Sequence, residues 1–348
     1  MIVRLVETMV DFEVKSLIKN EEGGIRHLAC RRYCLIKKEQ RGSCSMYKNS
    51  GDKLYSLGYG CVSSYGIDPI EKKPLFHFHP FSKVFSVGGY SCNFACLSCQ
   101  NYNIVRFDQQ NLNLARNFLP QDLVDRAIKT SCQGIAFTYN EPTIYAEYTL
   151  DTFKLAKKAG LYTVYVTNGY MSCELIEQLV PVLDAASVDI KAFSKETMHK
   201  VTASVNDFQG VLDSCVLLKE GGVHLEIVTN LIPTVNTDIN ELKNTAEWIR
   251  DNIGDKTPFH ITRYIPQQAL PGVPLTDYGF FNKVLAQNWA LGLKYTYVGN
   301  LPNHSAQNTY CSECGEQLVG RFGDTYLQKG LDADGTCHNC HAKANFII

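Results

Sequence analysis

The sequence predicts an α/β protein whose core is a parallel (β/α) barrel, either complete or partial. Short apolar segments, typical of buried parallel strands, alternate with amphipathic segments that have helical spacing. The chain is also longer than one typical domain, and its cysteines fall into three groups, which indicates one large core with small appendages. The predicted strands are 84–90, 134–139, 162–168, 185–190, 224–233 and 259–266, with a seventh at 294–299. The predicted helices include 121–130, 144–159, 174–183, 208–220 and 239–253.

Composition limits the classes of function. The hydrophobic share of 45% is that of an ordinary globular protein, and the net charge of -1 gives no reason to expect nucleic acid as a partner. Charged residues interrupt the apolar residues of 1–14, so we expect no signal peptide, no membrane partner and a cytoplasmic location. Fourteen cysteines in a reducing compartment favour metal ligands or redox sites over disulfides.

The cysteine groups divide the chain into three predicted units. Residues 1–80 form an amino-terminal extension with a small metal-binding module, and residues 81–303 form the barrel core. Residues 304–348 form a module like a zinc ribbon. Chemistry in a parallel barrel lies at the carboxyl ends of the strands, so the candidate site should follow the central strands.

The central group is the most informative motif. Cys92, Cys96 and Cys99 lie on a loop directly after the first predicted strand, in a C-x3-C-x2-C arrangement. Structural zinc and ordinary 4Fe-4S sites take four protein ligands, so three thiolates indicate an open coordination position for a small molecule. The alternative is that another cysteine completes an ordinary zinc or electron-transfer site.

This loop, after the first strand of a (β/α) barrel, resembles the radical SAM superfamily. The resemblance implies that Cys92, Cys96 and Cys99 are catalytic ligands of a 4Fe-4S cluster, whose open iron is chelated by the methionine amine and carboxylate of S-adenosylmethionine. It further implies a low-potential electron donor of the flavodoxin or ferredoxin type. Splitting the sulfonium bond would give a 5'-deoxyadenosyl radical that abstracts hydrogen from a substrate.

Residues after the following strands extend the resemblance. Thr138-Tyr139-Asn140-Glu141-Pro142 stands where the superfamily often has Gly-Gly-Glu-Pro, which implies that Glu141 receives the methionine ammonium. Thr167-Asn168-Gly169 and Asp189-Ile190-Lys191 resemble motifs of glycyl-radical activating enzymes. The alternative for Asn168 and Asp189 is a capping or ion-pair role. The cofactor-binding residues assigned on this basis are Tyr102, Asn140, Glu141, Thr167, Asn168, Asp189 and Lys191, and weaker candidates are His260, Arg263 and Tyr264.

From about residue 27 onward, the chain resembles the radical SAM component of the AmmeMemoRadiSam system, a relative of pyruvate formate-lyase activating enzyme. The segments that carry this resemblance are 68–75, 76–80, 99–102, 137–143, 299–302 and 308–311. It implies Memo-like and AMMECR-like partner proteins. Two departures stand out: Ser98 replaces the usual aromatic residue that packs the adenine, for which Tyr102 or Phe94 could substitute, and no arginine precedes Pro233.

The first flanking group is His27, Cys30, Cys34 and Cys44, in which His27 replaces the first of four cysteines that relatives typically have. One histidine with three cysteines suits zinc or an auxiliary iron-sulfur cluster. The alternative is a set of reduced cysteines packed in a small core. Cys61 has no assignment.

The second flanking group is Cys311, Cys314, Cys337 and Cys340, two C-x2-C pairs separated by 22 residues. This pattern predicts a structural metal site for zinc or iron, with zinc favoured. The short tail that contains it cannot bury much apolar surface, so metal binding would supply its folding energy.

Three functions remain open from the sequence. The first is an enzyme of the oxidoreductase or lyase type that uses the adenosyl radical on its own peptide or small-molecule substrate. The second is an activase that takes hydrogen from a glycine of a partner enzyme. The third is a non-catalytic iron-sulfur or zinc scaffold, which would never form 5'-deoxyadenosine.

Overall fold

The structure is a computed structural model that describes residues 12–106, 115–267, 270, 272–323 and 325–348. Most of the segment used to argue against a signal peptide, residues 1–11, lies outside the described residues. No helix of the described part of the chain is both long and apolar enough to cross a membrane.

The secondary structure begins with a run of short strands and continues with strands that alternate with helices. The first strands along the chain are β1 (Phe12–Glu13), β2 (Ile18–Glu21), β3 (Gly24–His27), β4 (Leu35–Ile36), β5 (Tyr47–Ser50), β6 (Lys53–Ser56), β7 (Cys61–Val62) and β8 (Ser64–Pro69). They are followed by β9 (Lys83–Gly88), β10 (Arg116–Asn117), β11 (Gly134–Phe137), β12 (Tyr162–Thr167), β13 (Ala185–Asp189), β14 (His224–Leu231), β15 (Phe259–Arg263), β16 (Thr296–Gly299), β17 (Thr309–Tyr310), β18 (Gln317–Phe322) and β19 (Thr325–Gln328). The helices are α1 (Tyr102–Val105), α2 (Pro120–Lys129), α3 (Ala146–Lys158), α4 (Cys173–Leu179), α5 (Lys195–Thr202), α6 (Gln209–Glu220), α7 (Ile239–Asn252) and α8 (Tyr278–Ala290).

The core is one eight-stranded sheet in the order β16-β15-β14-β13-β12-β11-β9-β8. Every pair from β9 to β16 is parallel, and β8 pairs antiparallel with β9 at one edge. Within the described residues β16 and β8 are the two end strands and do not pair, so the fold is the partial form of the predicted barrel. The sheet also includes residues 64–69, which lie within the predicted amino-terminal extension.

The predicted strands are confirmed. They could be recognised in the sequence because the core sheet is buried on both faces. All four residues of β11 are buried, as are all but one residue of β12, so apolar runs rather than alternation mark these strands. Helix α2 begins with Pro120 in its first turn and buries Leu123, Val124 and Ala127 against the sheet, which is the amphipathic pattern that predicted it.

Two appendages pack on the sheet at opposite ends of its parallel strands. We call the side where these strands end the carboxyl edge and the side where they begin the amino edge. The amino-terminal strands form the sheets β1-β6-β5 and β2-β3-β4 and pack on loops at the carboxyl edge. There Cys30 forms a β-bridge with Met171, and the Ser91 hydroxyl donates to the Cys44 carbonyl at 2.7 Å. The carboxyl-terminal sheet β17-β18-β19 packs at the amino edge, where the Arg321 guanidinium donates to the Phe76 carbonyl at 3.0 Å.

A fully buried carboxylate joins the sheet to the segment 76–80. Glu226 accepts hydrogen bonds from the backbone amides of Phe76 and His77, and its two oxygens also contact His224 Nε2 at 3.1 Å and His260 Nε2 at 2.7 Å. Burial alone would raise the pKa of Glu226, but the hydrogen bonds from His224 and His260 hold it well below its ordinary value. The carboxylate therefore stays charged in the core because every oxygen is paired.

His77 makes stability depend on pH. Burial lowers the pKa of His77 from its ordinary 6.5 to about 3, so the folded protein keeps it neutral while the unfolded chain binds a proton below 6.5. The unfolded state then binds more protons, and stability falls as the pH falls through this window. Between pH 7 and 5.5 the wild-type protein should lose about 1 kcal/mol of its free energy of unfolding through His77. We expect the His77→Asn variant not to lose this part. The measurement is the urea midpoint of metal-loaded protein at both pH values. His199→Asn, at an exposed histidine, should keep the wild-type pH dependence; an unchanged dependence in His77→Asn would rule out this role.

Candidate active site

The three-cysteine loop leaves the carboxyl end of β9 through two glycines that have no room for a side chain. A Cβ at Gly88 would lie 2.9 Å from the Thr138 carbonyl oxygen, and one at Gly89 would lie 2.8 Å from the Tyr145 ring. This close approach brings the start of the cysteine loop against the loop after β11. The two loops therefore lie side by side at the carboxyl edge.

The thiols of the loop are shielded from water. Burial raises the pKa of Cys92 well above its ordinary value, and burial raises the pKa of Cys96 to about 11 although the Lys191 charge opposes this. Metal ligation needs thiolates, so binding a metal here displaces protons. Among the described residues, the Sγ atoms of this loop do not gather within the distance of a single-ion site. That wider spacing fits a polynuclear cluster, whose ligands bind different iron atoms.

Asn140 holds the loop in place. Its Oδ1 accepts from the Gly89 amide at 3.0 Å, and its Nδ2 donates to the carbonyls of Tyr90 at 3.2 Å and Ser91 at 2.9 Å. The Tyr145 hydroxyl also donates to Oδ1 at 2.7 Å. These contacts let Asn140 position the residues before Cys92, and its assignment to the cofactor stays a prediction.

We expect Asn140→Ala to loosen this loop and to slow cleavage of S-adenosylmethionine by about 10- to 100-fold, the usual cost of losing a residue that orients metal ligands. The measurement is the initial rate of 5'-deoxyadenosine formation per cluster. Asn252→Ala, at the exposed end of α7, is the matched control and should react at the wild-type rate. An Asn140→Ala enzyme of wild-type rate would show that the loop does not need this support.

Glu141 connects the loop after β11 to the loop after β12. One carboxylate oxygen accepts from the Thr143 amide at 3.0 Å and the Thr167 hydroxyl at 2.8 Å, and the other accepts from the Asn168 amide at 2.7 Å. Burial raises the pKa of Glu141, and the hydrogen bonds from Thr143 and Asn168 oppose that rise. The second oxygen has one donor in the protein, which leaves it capacity for another.

Asn168 reaches the cysteine loop from the end of β12. Its Nδ2 donates to Asn93 Oδ1 at 2.7 Å and lies 3.8 Å from Cys92 Sγ. Thr167, its neighbour, donates to Glu141 and accepts from the Gly169 amide at 3.0 Å. The predicted Thr-Asn-Gly segment is thus brought into contact with the cysteine loop.

Asp189 and Lys191, at the end of β13, form an ion pair beside the same loop. Burial by itself lowers the pKa of Lys191, but the Asp189 carboxylate and the charges of Cys96 and Cys99 hold it above its ordinary value. Within the described residues, two buried atoms of this region have no hydrogen-bond partner: Asp189 Oδ1 and Asn93 Nδ2. Unpaired buried polar atoms are costly, so this region fits a polar ligand.

The remaining candidate residues differ in their exposure and in the edge of the sheet at which they lie. Tyr102 is 40% exposed and lies under the Arg106 guanidinium, while Phe94 is buried with its ring 5.5 Å from that of Tyr170. His260 is the second residue of β15, so it lies at the amino edge with Glu226, away from the cysteine loop. Arg263 and Tyr264 stand at the carboxyl edge, where Arg263 Nε donates to the Thr276 carbonyl at 2.9 Å and Tyr264 is fully buried.

Sequence reasoning missed two residues that build the site. Asn93 links the cysteine loop to Asn168, and its carbonyl accepts from Arg32 Nε of the amino-terminal module at 2.8 Å. Tyr145 supports Asn140. The position of Asn93 between two ligand cysteines was the one signal that could have found it. Tyr145 gave no signal, because its role depends on how the short helix Pro142–Tyr145 turns.

The carboxyl-terminal cysteines form a compact metal site. The ligand atoms of Cys311, Cys314, Cys337 and Cys340 all lie within 4.8 Å of one another. Two Sγ pairs, Cys311 with Cys340 and Cys314 with Cys337, are each 3.6 Å apart. A tetrahedral ion with bonds of about 2.3 Å to sulfur spaces its ligands by about 3.8 Å. These four thiols can therefore hold one metal ion.

The other flanking group is also brought together, but in a different way. His27, Cys30, Cys34 and Cys44 line one cavity with Tyr47, Thr143 and Ile144. Among the described residues they do not form a compact single-ion group. Cys61 does not line this cavity.

The fold and site define a partial (β/α) barrel with a three-cysteine loop after its first parallel strand. Residues 87–249 match the model of the radical SAM superfamily, and an uncharacterized protein of Methanocaldococcus jannaschii is 38% identical over 95% of this chain and 98% of its own length. The chain belongs to the radical SAM superfamily. It is also similar to the pyruvate formate-lyase-activating enzyme of Listeria monocytogenes, at 24% identity over 62% of this chain and 82% of that protein. A third relative, the (2S)-3-sulfopropanediol dehydratase activating enzyme of Klebsiella oxytoca, is 24% identical over 35% of this chain and 38% of its own length.

Proposed function

We propose that this chain reductively cleaves S-adenosylmethionine at a 4Fe-4S cluster held by Cys92, Cys96 and Cys99. The 5'-deoxyadenosyl radical that this chemistry supplies would take hydrogen from a peptide or a small molecule. The observation that carries the proposal is the position of the three thiols at the carboxyl edge, next to unpaired polar atoms of Asn93 and Asp189. The reductant would be a low-potential one-electron donor of the flavodoxin or ferredoxin type.

The protein's own groups would bind and orient the cofactor. Asn140 fixes the cysteine loop, while Asp189 Oδ1 and the second oxygen of Glu141 are acceptors for an ammonium or a hydroxyl group. Lys191, held charged by Asp189, stabilises thiolate at Cys96 and Cys99. Tyr102 and Thr167 remain assigned to the cofactor as part of the proposal.

The test is product analysis under anaerobic conditions. Protein reconstituted with iron and sulfide, then given dithionite and S-adenosylmethionine, should form 5'-deoxyadenosine and methionine in equal amounts. Omission of dithionite should prevent both products. If iron-loaded protein formed neither, alone or with candidate partner proteins, the chain would be a non-catalytic scaffold instead.

A second candidate function is activation of a glycyl-radical enzyme, which the names of two relatives favour. It shares the cofactor but differs in the fate of the radical, because an activase leaves a stable glycyl radical on its partner. Electron paramagnetic resonance (EPR) of a partner mixture after turnover separates the two functions. Memo-like and AMMECR-like proteins are the partners proposed from the resemblance, and they would be the first mixture tested.

We also propose that the carboxyl-terminal cysteines bind zinc in a structural role and that the protein works in the cytoplasm. The compact spacing of the four thiols supports the first proposal. The second is supported by the fourteen cysteines, because none of them forms a disulfide in the described residues.

A further inference from the structure

The cavity lined by His27, Cys30, Cys34 and Cys44 lies outside the site described above and is built from four metal-ligand side chains. We define these four residues as the amino-terminal ligand set. The three cysteines of the set are partly buried residues. We propose that it binds a second iron-sulfur cluster.

Spacing distinguishes this set from the zinc-type group in the same molecule. The carboxyl-terminal thiols gather within 4.8 Å, as ligands of one ion do. The amino-terminal ligand set surrounds a cavity without such gathering, and in this respect it behaves like the loop of Cys92, Cys96 and Cys99. Ligands of a polynuclear cluster bind different metal atoms and must stand further apart than ligands of one ion. The spacing therefore favours an iron-sulfur cluster over zinc.

A second, independent observation concerns His27. This residue is 6% exposed, yet its Nε2 has no hydrogen-bond partner in the described structure. The nearest carboxylate oxygen, Glu147 Oε1, is 3.6 Å away and is also unpaired. A metal-bound histidine usually donates its other ring N–H to a carboxylate. A small approach of Glu147 to Nε2 would complete this pair and leave Nδ1 as the ligand atom.

Glu147 is itself held in place for this role. Its other oxygen accepts from the Tyr47 hydroxyl at 2.7 Å, and the Tyr47 ring packs on the His27 imidazole with 3.8 Å between centroids. Because Glu147 belongs to α3 of the core, the ligand set depends on both the amino-terminal module and the barrel. Glu147 is thus a positioning residue for His27.

The proposed cluster would lie beside the active site. Thr143 lines the cavity and donates through its amide and its hydroxyl to Glu141, and the Cys44 carbonyl accepts from Ser91 next to Cys92. One residue therefore separates the cavity from the carboxylate of the active site. This position suits a one-electron carrier between a low-potential donor and the Cys92 loop.

The test uses the full chain with the first cluster removed, so it does not depend on the proposed cleavage activity. Cys92→Ala, Cys96→Ala and Cys99→Ala are combined, and the protein is loaded with zinc and then reconstituted with iron and sulfide. We expect iron and acid-labile sulfide in equal amounts, about four of each per chain for a 4Fe-4S cluster. Adding Cys34→Ala and Cys44→Ala should remove both, while adding Cys61→Ala, a nearby cysteine outside the cavity, should leave them. A protein without sulfide, or one that binds about two zinc ions per chain, would overturn the proposal.

Glu147→Gln, made in the same cluster-deficient chain, tests the positioning role without deleting a ligand. Removing one negative charge near the cluster should raise its reduction potential and leave its iron content unchanged. His27→Ala should change the EPR spectrum of the reduced cluster. An unchanged potential in Glu147→Gln would remove Glu147 from the site, and an unchanged spectrum in His27→Ala would remove His27.

Discussion

Cys96→Ala is expected to reduce 5'-deoxyadenosine formation to the level seen without a reductant. The loop provides three thiols for the proposed cluster, and an alanine leaves two. Cys96 is also one of the two thiols whose pKa the Lys191 charge lowers against burial, so the variant removes one of the anions that Lys191 stabilises. The measurement is quantification of 5'-deoxyadenosine and of iron after anaerobic reconstitution.

The matched control for Cys96→Ala is Cys173→Ala. Cys173 is an exposed cysteine at the start of α4, and its loss should leave both the product and the iron content unchanged. Wild-type product formation by Cys96→Ala would contradict the assignment of this loop as the cluster site.

Removal of the carboxyl-terminal metal is expected to unfold residues 304–348. The apolar cluster of this module consists of a few side chains, among them Leu318, Val319 and Leu331, which is too little to stabilise it alone. Structural zinc supplies about 10–16 kcal/mol in comparable small modules. The unfolded tail would also release Arg321 from the Phe76 carbonyl.

Arg321 gives this unfolding a specific readout. It is 3% exposed in the folded module, so trypsin should cleave after it only when the module unfolds. We expect cleavage after Arg321, detected by mass spectrometry, within minutes of chelation, and protection when zinc is restored. Cleavage after exposed lysines of the core, such as Lys195, should proceed equally in both states. Protection of Arg321 in protein shown to lack metal would refute the structural role of the ion.

The core was predictable because its strands are buried on both faces and its helices are amphipathic. The sequence did not predict α5 and α8. Helix α5 is eight residues long and offers only Met198 and Val201 as apolar residues of its buried face, while α8 carries aromatic residues on more than one side. The amino-terminal ends of these two helices are instead set by Ser194 and Asp277, whose side chains accept hydrogen bonds from backbone amides of the first turn.

The candidate site was predictable where a residue follows a strand directly. Asn140, Glu141, Asn168, Asp189 and Lys191 all lie at the carboxyl edge because parallel strands end at the same edge. His260 shows the limit of this reasoning, because its position near the start of β15 places it at the opposite edge. Contacts between distant segments, such as Asn93 with Arg32 and His27 with Glu147, depend on how the amino-terminal module packs, which spacing along the chain does not encode.

The most direct test of the central claim is EPR of the reduced full chain with and without S-adenosylmethionine, in a variant that carries Cys34→Ala and Cys44→Ala and therefore lacks the second proposed cluster. If the cluster at Cys92, Cys96 and Cys99 has an open iron, addition of the cofactor should change the g values of its signal, and Cys96→Ala should lack both that signal and its change. A strong cluster signal that S-adenosylmethionine leaves unaltered would contradict the claim, because it would mean that the cofactor does not bind the iron.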